Sequence, residues 1–184
     1  FVLTDINTGK VKALVSYPGY DANQINNVSY YASLINNSSS PLYNRATQQT
    51  LAPGSTFKPI SAIAGLEEGV IDADTYITDY VEYTKVVPHA NCWNSAGHGT
   101  INVEQAIEYS CNYFFYEVGY RLSTNNYAMS YNNDAAENGI EKIQKYASLY
   151  GLNETTGIEI EESKPQVADS FPVMAAIGQS NNNY

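Results

Sequence analysis

Apolar and polar positions divide this chain into one short hairpin followed by a series of helices. Residues 1–17 place apolar residues on both sides of the turn sequence Asn7-Thr8-Gly9, which predicts a β-hairpin. Residues 18–44 are rich in Asn, Ser and Tyr and show little periodicity, so we expect a long surface connection. Because a lone hairpin is only marginally stable, we expect its sheet partners to be missing from this chain.

The remainder of the chain carries apolar residues mainly at helical spacing. Helices are predicted over residues 56–68, over 102–109 with Asn102 as cap, from 112 onward with Phe114, Phe115, Val118 and Leu122 inward, and around 140–150. The intervening segments 72–101 and 123–138 are expected to be irregular, with Trp93 as a core anchor of the first. Gly157 to Glu161 is predicted to be a short strand and Phe171 to Ile177 a further apolar element.

Length and charge limit what the chain can bind. Its 184 residues, 43% of them hydrophobic, suffice for a soluble globular domain with a core. A net charge of −10 argues against nucleic acid as a partner. There is neither an apolar run of membrane-spanning length nor a signal peptide, and we expect an upstream part to have been removed before Phe1.

The segment Leu51 to Pro59, which contains Pro-Gly-Ser-Thr-Phe-Lys-Pro, is the most informative part of the sequence. Ser55 and Lys58 are three residues apart at a predicted helix start, so they share one face. A serine hydroxyl needs a base to become a nucleophile, and a desolvated lysine can act as that base. The helix N-terminus adds backbone N–H groups that can stabilise an oxyanion. A Ser-x-x-Lys pair alone is common, but the whole segment is far more specific.

A second motif, Ser110-Cys111-Asn112, lies between two predicted helices. Ser-x-x-Lys followed by Ser-x-Asn is the order found in serine enzymes that recognise penicillin. With these motifs the chain resembles the class B penicillin-binding proteins, and among them the elongation-type transpeptidases. Further similar segments are Thr8 to Val11, Tyr17-Pro18, Asn44 to Ala46, Glu67 to Ile71, Cys92-Trp93, Gly97 to Thr100, Tyr113 to Tyr116, Thr156 to Ile158 and Ala176 to Gln179.

The resemblance implies an α+β fold of the three-layer α/β type shared by penicillin-binding proteins and serine β-lactamases. Residues 1–184 would then be the N-terminal part of a single transpeptidase domain. The hairpin of residues 1–17 would belong to its central sheet, and residues 45–184 to its mainly helical part. The remaining sheet strands are expected to be missing.

The resemblance also implies D,D-transpeptidation of peptidoglycan. Ser55 would attack the carbonyl between the terminal D-alanines of a stem peptide, with Lys58 as general base. Ser110 would relay the proton to the leaving amine, and Asn112 would bind the substrate and orient the lysine. β-Lactams would acylate the same serine. No cofactor is required for this chemistry.

The family's Lys-Thr-Gly motif occurs nowhere in this sequence. We therefore expect a chain truncated before that motif and inactive by itself. The implied partners are peptidoglycan stem peptides on a lipid-linked precursor, β-lactam antibiotics and a membrane glycan polymerase of the elongation machinery. The implied location is the extracytoplasmic face of the bacterial membrane, with an anchor outside this chain.

Asp79, Cys92, His98 and Cys111 form a candidate metal site, because thiolate, imidazole and carboxylate groups are zinc ligands. Some elongation-type relatives resemble this arrangement, which would make the zinc structural. His89 could replace Asp79. A disulfide between the two cysteines and a pair of buried free thiols also remain open.

Three other functions also remain open at this level. A D,D-carboxypeptidase or a serine β-lactamase would use the same nucleophile. Such relatives usually lack the Cys-Trp and Gly-His-Gly segments present here. A non-catalytic binding module of the cell envelope is the third alternative, although the intact motif residues argue against a degenerate site.

Overall fold

A computed structural model describes all 184 residues, which divide into two compact units. One unit contains Phe1–Thr50 and Thr155–Ser163, and the other contains Leu51–Glu154 and Lys164–Tyr184. The assignment of the whole chain to a single transpeptidase domain stays a prediction. No helix in the structure combines the length and the apolar character needed to cross a membrane.

The first unit opens with the predicted hairpin, formed by strand β1 (Val2–Thr4) and strand β2 (Val11–Leu14). The strands are antiparallel, with Val2 opposite Leu14 and an irregularity in register at Thr4. Gly9 adopts a φ of +69° in the connecting turn, a conformation that a residue without a Cβ enters easily. The hairpin prediction is confirmed.

The predicted surface connection of residues 18–44 contains two helical elements. A 3₁₀ turn spans Ala22–Gln24, and helix α1 spans Val28–Ile35. The apolar residues Val28, Tyr31, Ala32 and Ile35 of α1 recur at helical spacing, but the helix is only eight residues long and only Leu34 is buried. The side chain of Asn27 caps it by accepting two backbone N–H groups.

The predicted strand at residues 157–161 does not form. Instead, the Glu162 carboxylate accepts hydrogen bonds from the backbone N–H groups of Thr156 and Gly157 at 3.0 and 2.9 Å. Gly157 has a φ of +76°, which lies outside the strand region. A carboxylate-closed turn therefore replaces the strand, although the apolar and acidic residues alternate as in one.

Helices dominate the second unit, and they surround α4. The helices are α2 (Lys58–Glu67), α3 (Val103–Glu108), α4 (Asn112–Thr124), α5 (Asn133–Leu149) and α6 (Pro172–Ala175). Helix α4 packs against α2, α5 and α6, and its predicted inward residues are completely buried. Each such side chain contributes roughly 1.5–3 kcal/mol through burial. Gly119 allows the close approach of α6, since a Cβ there would lie 2.7 Å from the Pro172 carbonyl oxygen.

The ends of these helices confirm some predictions and correct others. Asn102 caps α3 through a capping box with Gln105, as its position predicts. Helix α5 begins at Asn133, capped by Asn132, which is earlier than the apolar pattern indicates. The loop predicted over 123–138 is therefore correct for residues 125–132 and wrong at its two ends. Its second half was assigned wrongly because the first turns of α5 are too polar to show a helical stripe.

The segment 72–101, expected to be irregular, contains four short strands. Strand β3 (Ile77–Asp79) pairs with β6 (Gly99–Ile101), and β4 (Glu82–Tyr83) pairs with β5 (Ala90–Asn91). Both pairs are antiparallel. Strands of two or three residues are too short to display alternation, so the pattern could not reveal them. The first pairing sets Asp79 opposite Gly99 and thus beside His98.

Candidate active site

Ser55 and Lys58 lie at the start of α2 with opposite exposures. Ser55 is in a 3₁₀ turn over Gly54–Phe57 and is exposed to solvent, as a nucleophile must be. Lys58, the first residue of α2, is only 1% exposed. The Gly54 N–H donates to the Gly178 carbonyl at 2.9 Å. Any Cβ on Gly178 would overlap the Gly54 backbone, so this contact between the two segments requires glycine.

The Lys58 ammonium donates three hydrogen bonds, all to the Ser110–Asn112 motif. Its Nζ lies 2.7 Å from the Ser110 carbonyl oxygen, 3.0 Å from Ser110 Oγ and 2.7 Å from Asn112 Oδ1. An ammonium group has three N–H donors, so every one of them is satisfied. The structure thus brings together the two motifs that the sequence places more than fifty residues apart.

Burial lowers the pKa of the Lys58 ammonium to about 8, although the neighbouring Cys111 and Cys92 act in the opposite direction. At pH 7 a lysine with that pKa is about one-tenth neutral, against a few parts in ten thousand at an ordinary lysine pKa. The environment therefore makes Lys58 a far better base than an exposed lysine. Lys58 uses only the side-chain oxygen of Asn112, and the amide nitrogen of that side chain takes no part in holding the lysine.

The turn that carries Ser110 is strained and is held from several sides. Ser110 has a φ of +52°, an uncommon value for a residue with a Cβ. The next residue, Cys111, caps α4 by accepting the Phe114 N–H with its sulfur at 3.4 Å. The indole N–H of Trp93 donates to the Ser110 carbonyl at 3.0 Å. Trp93 is 64% exposed, so the prediction that it anchors a core was wrong.

Directly behind this turn, Asp79, Cys92, His98 and Cys111 converge. One potential ligand atom from each lies within 4.8 Å of the other three. The separations are 3.5 Å from Cys92 Sγ to His98 Nδ1, 3.9 Å between the two sulfurs, 3.4 Å from Cys111 Sγ to Asp79 Oδ2, and 2.7 Å from His98 Nδ1 to Asp79 Oδ2. These are the four residues that the sequence singles out.

The separations fit a tetrahedral zinc centre. With zinc–sulfur bonds of about 2.3 Å and zinc–nitrogen or zinc–oxygen bonds of about 2.0 Å, neighbouring ligand atoms lie roughly 3.3–3.8 Å apart. Two of the four separations, 3.5 and 3.4 Å, lie in this range, and the sulfur–sulfur distance of 3.9 Å is just above it. The shorter His98–Asp79 contact is a direct hydrogen bond. The two thiols are free at 3.9 Å, so no disulfide joins them. His89 lies outside the cluster and pairs with Glu82 at 3.0 Å.

Two groups of the cluster have displaced pKa values. Burial raises the pKa of the Cys111 thiol, and the nearby Cys92 and Asp79 raise it further. Burial alone would also raise the pKa of Asp79, but hydrogen bonds from His98 and the Val81 N–H bring it below its ordinary value. Without a cation the cluster therefore favours a neutral Cys111 thiol beside an ionised carboxylate.

Comparison with known proteins gives a consistent result. The family model described as "Penicillin binding protein transpeptidase domain" matches residues 1–181. The peptidoglycan D,D-transpeptidase MrdA of Escherichia coli (strain K12) is 34% identical over 168 residues, covering 89% of this chain and 24% of MrdA. The chain thus spans about a quarter of the length of that relative.

Solved structures show the same similarity. Penicillin-binding protein A from M. tuberculosis, solved as a ceftriaxone acyl-enzyme complex, superposes with a TM-score of 0.81 at 26% identity, covering 99% of this chain and 41% of that one. A chain from a structure titled "Structural coordination of polymerization and crosslinking by a peptidoglycan synthase complex" superposes with a TM-score of 0.82 at 27% identity, covering 99% and 32%. The predicted fold class is confirmed.

Proposed function

Since this chain belongs to the penicillin-binding protein transpeptidase family, we propose that the protein carrying it is a peptidoglycan D,D-transpeptidase with Ser55 as its nucleophile. The observation that carries the proposal is the buried Lys58 ammonium, bonded three times to Ser110 and Asn112 beside the exposed Ser55. A buried cation satisfied only by neutral groups is costly, so such an arrangement favours chemistry over stability.

The reaction we propose is an acyl transfer in two halves. Neutral Lys58 takes the proton from Ser55 Oγ, which attacks the carbonyl carbon of the bond between the terminal D-alanines. The proton passes through Ser110 Oγ, 3.0 Å from the lysine nitrogen, to the departing D-alanine amine. The resulting serine ester is then attacked by the amine of a second stem peptide, and the serine regains its proton.

The other groups of the site bind and orient the substrate. The side-chain amide nitrogen of Asn112 can donate to a peptide carbonyl of the stem peptide while its oxygen holds Lys58. The backbone N–H of Ser55, at the start of the 3₁₀ turn before α2, is suited to stabilise the oxyanion. A β-lactam would enter the same site and leave its acyl group on Ser55.

A structural zinc ion fits the cluster of Asp79, Cys92, His98 and Cys111, and we include it in the proposal. Bound zinc would supply a positive centre that keeps both thiols ionised and offsets the charge of the carboxylate. Because Cys111 lies between the two functional residues of the Ser-x-Asn motif, its ligation would fix their backbone. The proton transfers proposed above involve Ser55, Lys58, Ser110 and the substrate, and none of them involves the zinc.

The proposed setting follows from the substrate. Stem peptides on a lipid-linked precursor lie outside the cytoplasmic membrane, so we place the site on the extracytoplasmic face, held there by an anchor. The similarity to a chain of a peptidoglycan synthase complex supports a membrane glycan polymerase as partner. The net charge of −10 speaks against nucleic acid.

The test is an intact mass spectrum, before and after incubation with penicillin G, of the purified protein that carries this chain, because this chain by itself is expected to be inactive. We expect a mass gain equal to the drug, absent in Ser55→Ala and retained in Ser148→Ala, which changes an exposed serine on α5. A wild-type protein that never gains the drug contradicts the proposal and favours a non-catalytic binding role. Rapid loss of the adduct by hydrolysis would favour a β-lactamase.

A further inference from the structure

Two donors share the carbonyl oxygen of Ser110. Lys58 Nζ lies 2.7 Å from it and Trp93 Nε1 lies 3.0 Å from it. A carbonyl oxygen has two lone pairs, so these two donors satisfy it completely. The carbonyl belongs to the one residue of the Ser-x-Asn motif whose φ, at +52°, is in the left-handed region. Donors on this oxygen therefore help to stabilise a backbone conformation that serine does not prefer.

Trp93 is itself held in a defined orientation. Its ring meets the His98 imidazole edge to face, with centroids 5.3 Å apart and planes at 63°. The imidazole in turn stacks on Tyr109, the residue before Ser110, at 6.1 Å and 6°. The backbone N–H of the preceding residue, Cys92, donates to the Val81 carbonyl at 2.7 Å. The Trp93 side chain is thus held through its ring and through the neighbouring backbone. The N–H of the indole, which is the only polar hydrogen of that ring, is donated to the Ser110 carbonyl.

The exposure of Trp93 shows that its ring does not serve mainly as a packing group of the core. A tryptophan that serves as a core anchor buries its ring, whereas this one leaves 64% of its surface exposed beside the site. What it contributes to the protein is one hydrogen bond and one aromatic contact, both directed at the segment around Ser110. Burial of apolar surface therefore cannot be its main contribution.

We propose that Trp93 is a positioning residue for the acylation step, whose indole N–H holds the Ser110 carbonyl and so keeps the Ser110 hydroxyl 3.0 Å from the Lys58 nitrogen. The inference rests on the proposed function, since it assigns a purpose to that hydroxyl. Without the indole N–H, the carbonyl is held by Lys58 alone. The turn then gains freedom to rotate, and the proton-relay geometry is populated for less of the time.

The experiment compares Trp93→Phe with wild type in the protein that carries this chain, using penicillin G and stopped-flow kinetics. The acylation rate constant at saturating drug should fall about five- to tenfold, the effect of one neutral hydrogen bond. The noncovalent dissociation constant should stay within about twofold, because a positioning residue acts on the reaction step. The thermal midpoint should stay within about 2 °C.

Two further variants separate the loss of the indole N–H from poor packing of the new side chain. Replacement of Trp93 by β-(3-benzothienyl)alanine preserves the ring shape and removes only the N–H, so it should reproduce the slower acylation even if the phenylalanine variant packs poorly. Tyr80→Phe removes a hydroxyl from another exposed aromatic residue that makes no hydrogen bond to the site, and it should acylate at the wild-type rate.

Each outcome decides between named alternatives. An unchanged rate constant in both indole variants overturns the positioning role while leaving Ser55 as nucleophile. Weaker noncovalent binding with an unchanged rate constant also overturns it and makes Trp93 a ligand contact instead. If wild type itself is not acylated, the proposed function fails and this inference fails with it, a result distinct from the other two.

Discussion

Lys58 is the residue whose environment decides most directly what this site can do. It is almost completely buried, its three donors meet neutral oxygens, and burial lowers its pKa to about 8. A lysine in this state can alternate between ammonium and amine near neutral pH. Ser110 Oγ and Asn112 Oδ1 accept hydrogen bonds from the ammonium form, and the amine form can accept a proton from a nearby hydroxyl.

The pKa of Lys58 predicts how acylation depends on pH. The base must be neutral, so the acylation rate constant should rise about tenfold per pH unit below a pH of about 8 and become level above it. Stopped-flow acylation by penicillin G from about pH 6 to about pH 10 measures this profile. A rate that is flat through pH 8, or a rise centred near the ordinary lysine pKa, would contradict the role of the lysine.

Lys58→Arg is the matched control for this profile. Arginine keeps the positive charge and most of the length, but it stays protonated throughout this pH range. Acylation should therefore fall by about 10²–10⁴-fold, the usual effect of removing a general base, and lose its pH-dependent rise. If the variant retains the wild-type profile, another group must be the base.

The sequence could single out these candidate site residues because their types and their order along the chain are typical of serine enzymes that recognise penicillin. Ser55 with Lys58, then Ser110 with Asn112, are recognisable as two motifs at two predicted helix starts. Trp93 could not be assigned in the same way, since an indole N–H directed at a backbone carbonyl leaves no periodic signal. Its exposure reflects long-range packing around Ser110, which no local pattern contains.

At the scale of elements, one buried carboxylate joins α4 to the segment that contains the short strands. Glu117 on α4 is 3% exposed and accepts hydrogen bonds from Tyr83 of β4 and from Lys85, both at 2.8 Å. Arg121, one turn further along α4, donates at 2.8 Å, and the Tyr127 hydroxyl also contacts the carboxylate. Burial would raise the pKa of Glu117, but these donors hold it below its ordinary value.

Glu117→Gln should lower the free energy of unfolding by about 3 kcal/mol, because it leaves the partly buried Arg121 and the more exposed Lys85 beside a neutral amide at a buried position. Urea unfolding with an unchanged slope measures the loss. The depressed pKa makes the contribution of the carboxylate present above its unfolded pKa of about 4.3 and lost as pH falls through the lower folded value. The difference between wild type and variant should therefore shrink in acid.

Glu82→Gln supplies the control, because it removes a carboxylate from an exposed pair with His89. Exposed ion pairs contribute little, so this change should cost less than about 1 kcal/mol. Equal losses in the two variants would show that the Glu117 network contributes no more than a surface ion pair.

Helices that bury a stripe of apolar residues could be predicted, whereas elements without one could not. The inward face of α4 was correct residue by residue. Helix α1 was missed because its eight residues give too short a pattern within a segment rich in Asn and Ser. The first turns of α5 were missed because they are polar. Strands β3 to β6 are two or three residues long, so they carry no period.

At the scale of the whole chain, segments distant in sequence are joined in ways that local patterns do not encode. Residues 155–163 belong with residues 1–50, where the Ser163 N–H and hydroxyl donate to the carbonyls of Thr47 and Gln48 at 2.9 and 2.6 Å. In the other unit, the four-residue cluster joins β3, the turn after β5, the segment before β6 and the start of α4. The cluster consists of residue types that bind metals, so the sequence indicated that its members could meet. The contacts of Ser163 with residues 47 and 48 have no such signal in the sequence.

The cluster of Asp79, Cys92, His98 and Cys111 predicts that the protein, when purified without chelators, contains about one zinc ion per chain. Cys111→Ser should remove the metal, because a serine hydroxyl does not ionise at neutral pH to replace the thiolate. It should also lower the thermal midpoint by about 5 °C or more, since the cluster joins four segments. Metal analysis by mass spectrometry and calorimetry measure the two effects.

His89→Ala is the matched control, because His89 is the chain's other histidine and pairs with Glu82 away from the cluster. Zinc content and thermal midpoint should both be retained in this variant. Loss of zinc in His89→Ala but not in a His98 variant would show that His89, and not His98, is the zinc ligand. Wild type without zinc, together with a Cys111→Ser variant of unchanged stability, would leave two buried free thiols that act only as packing and as the cap of α4.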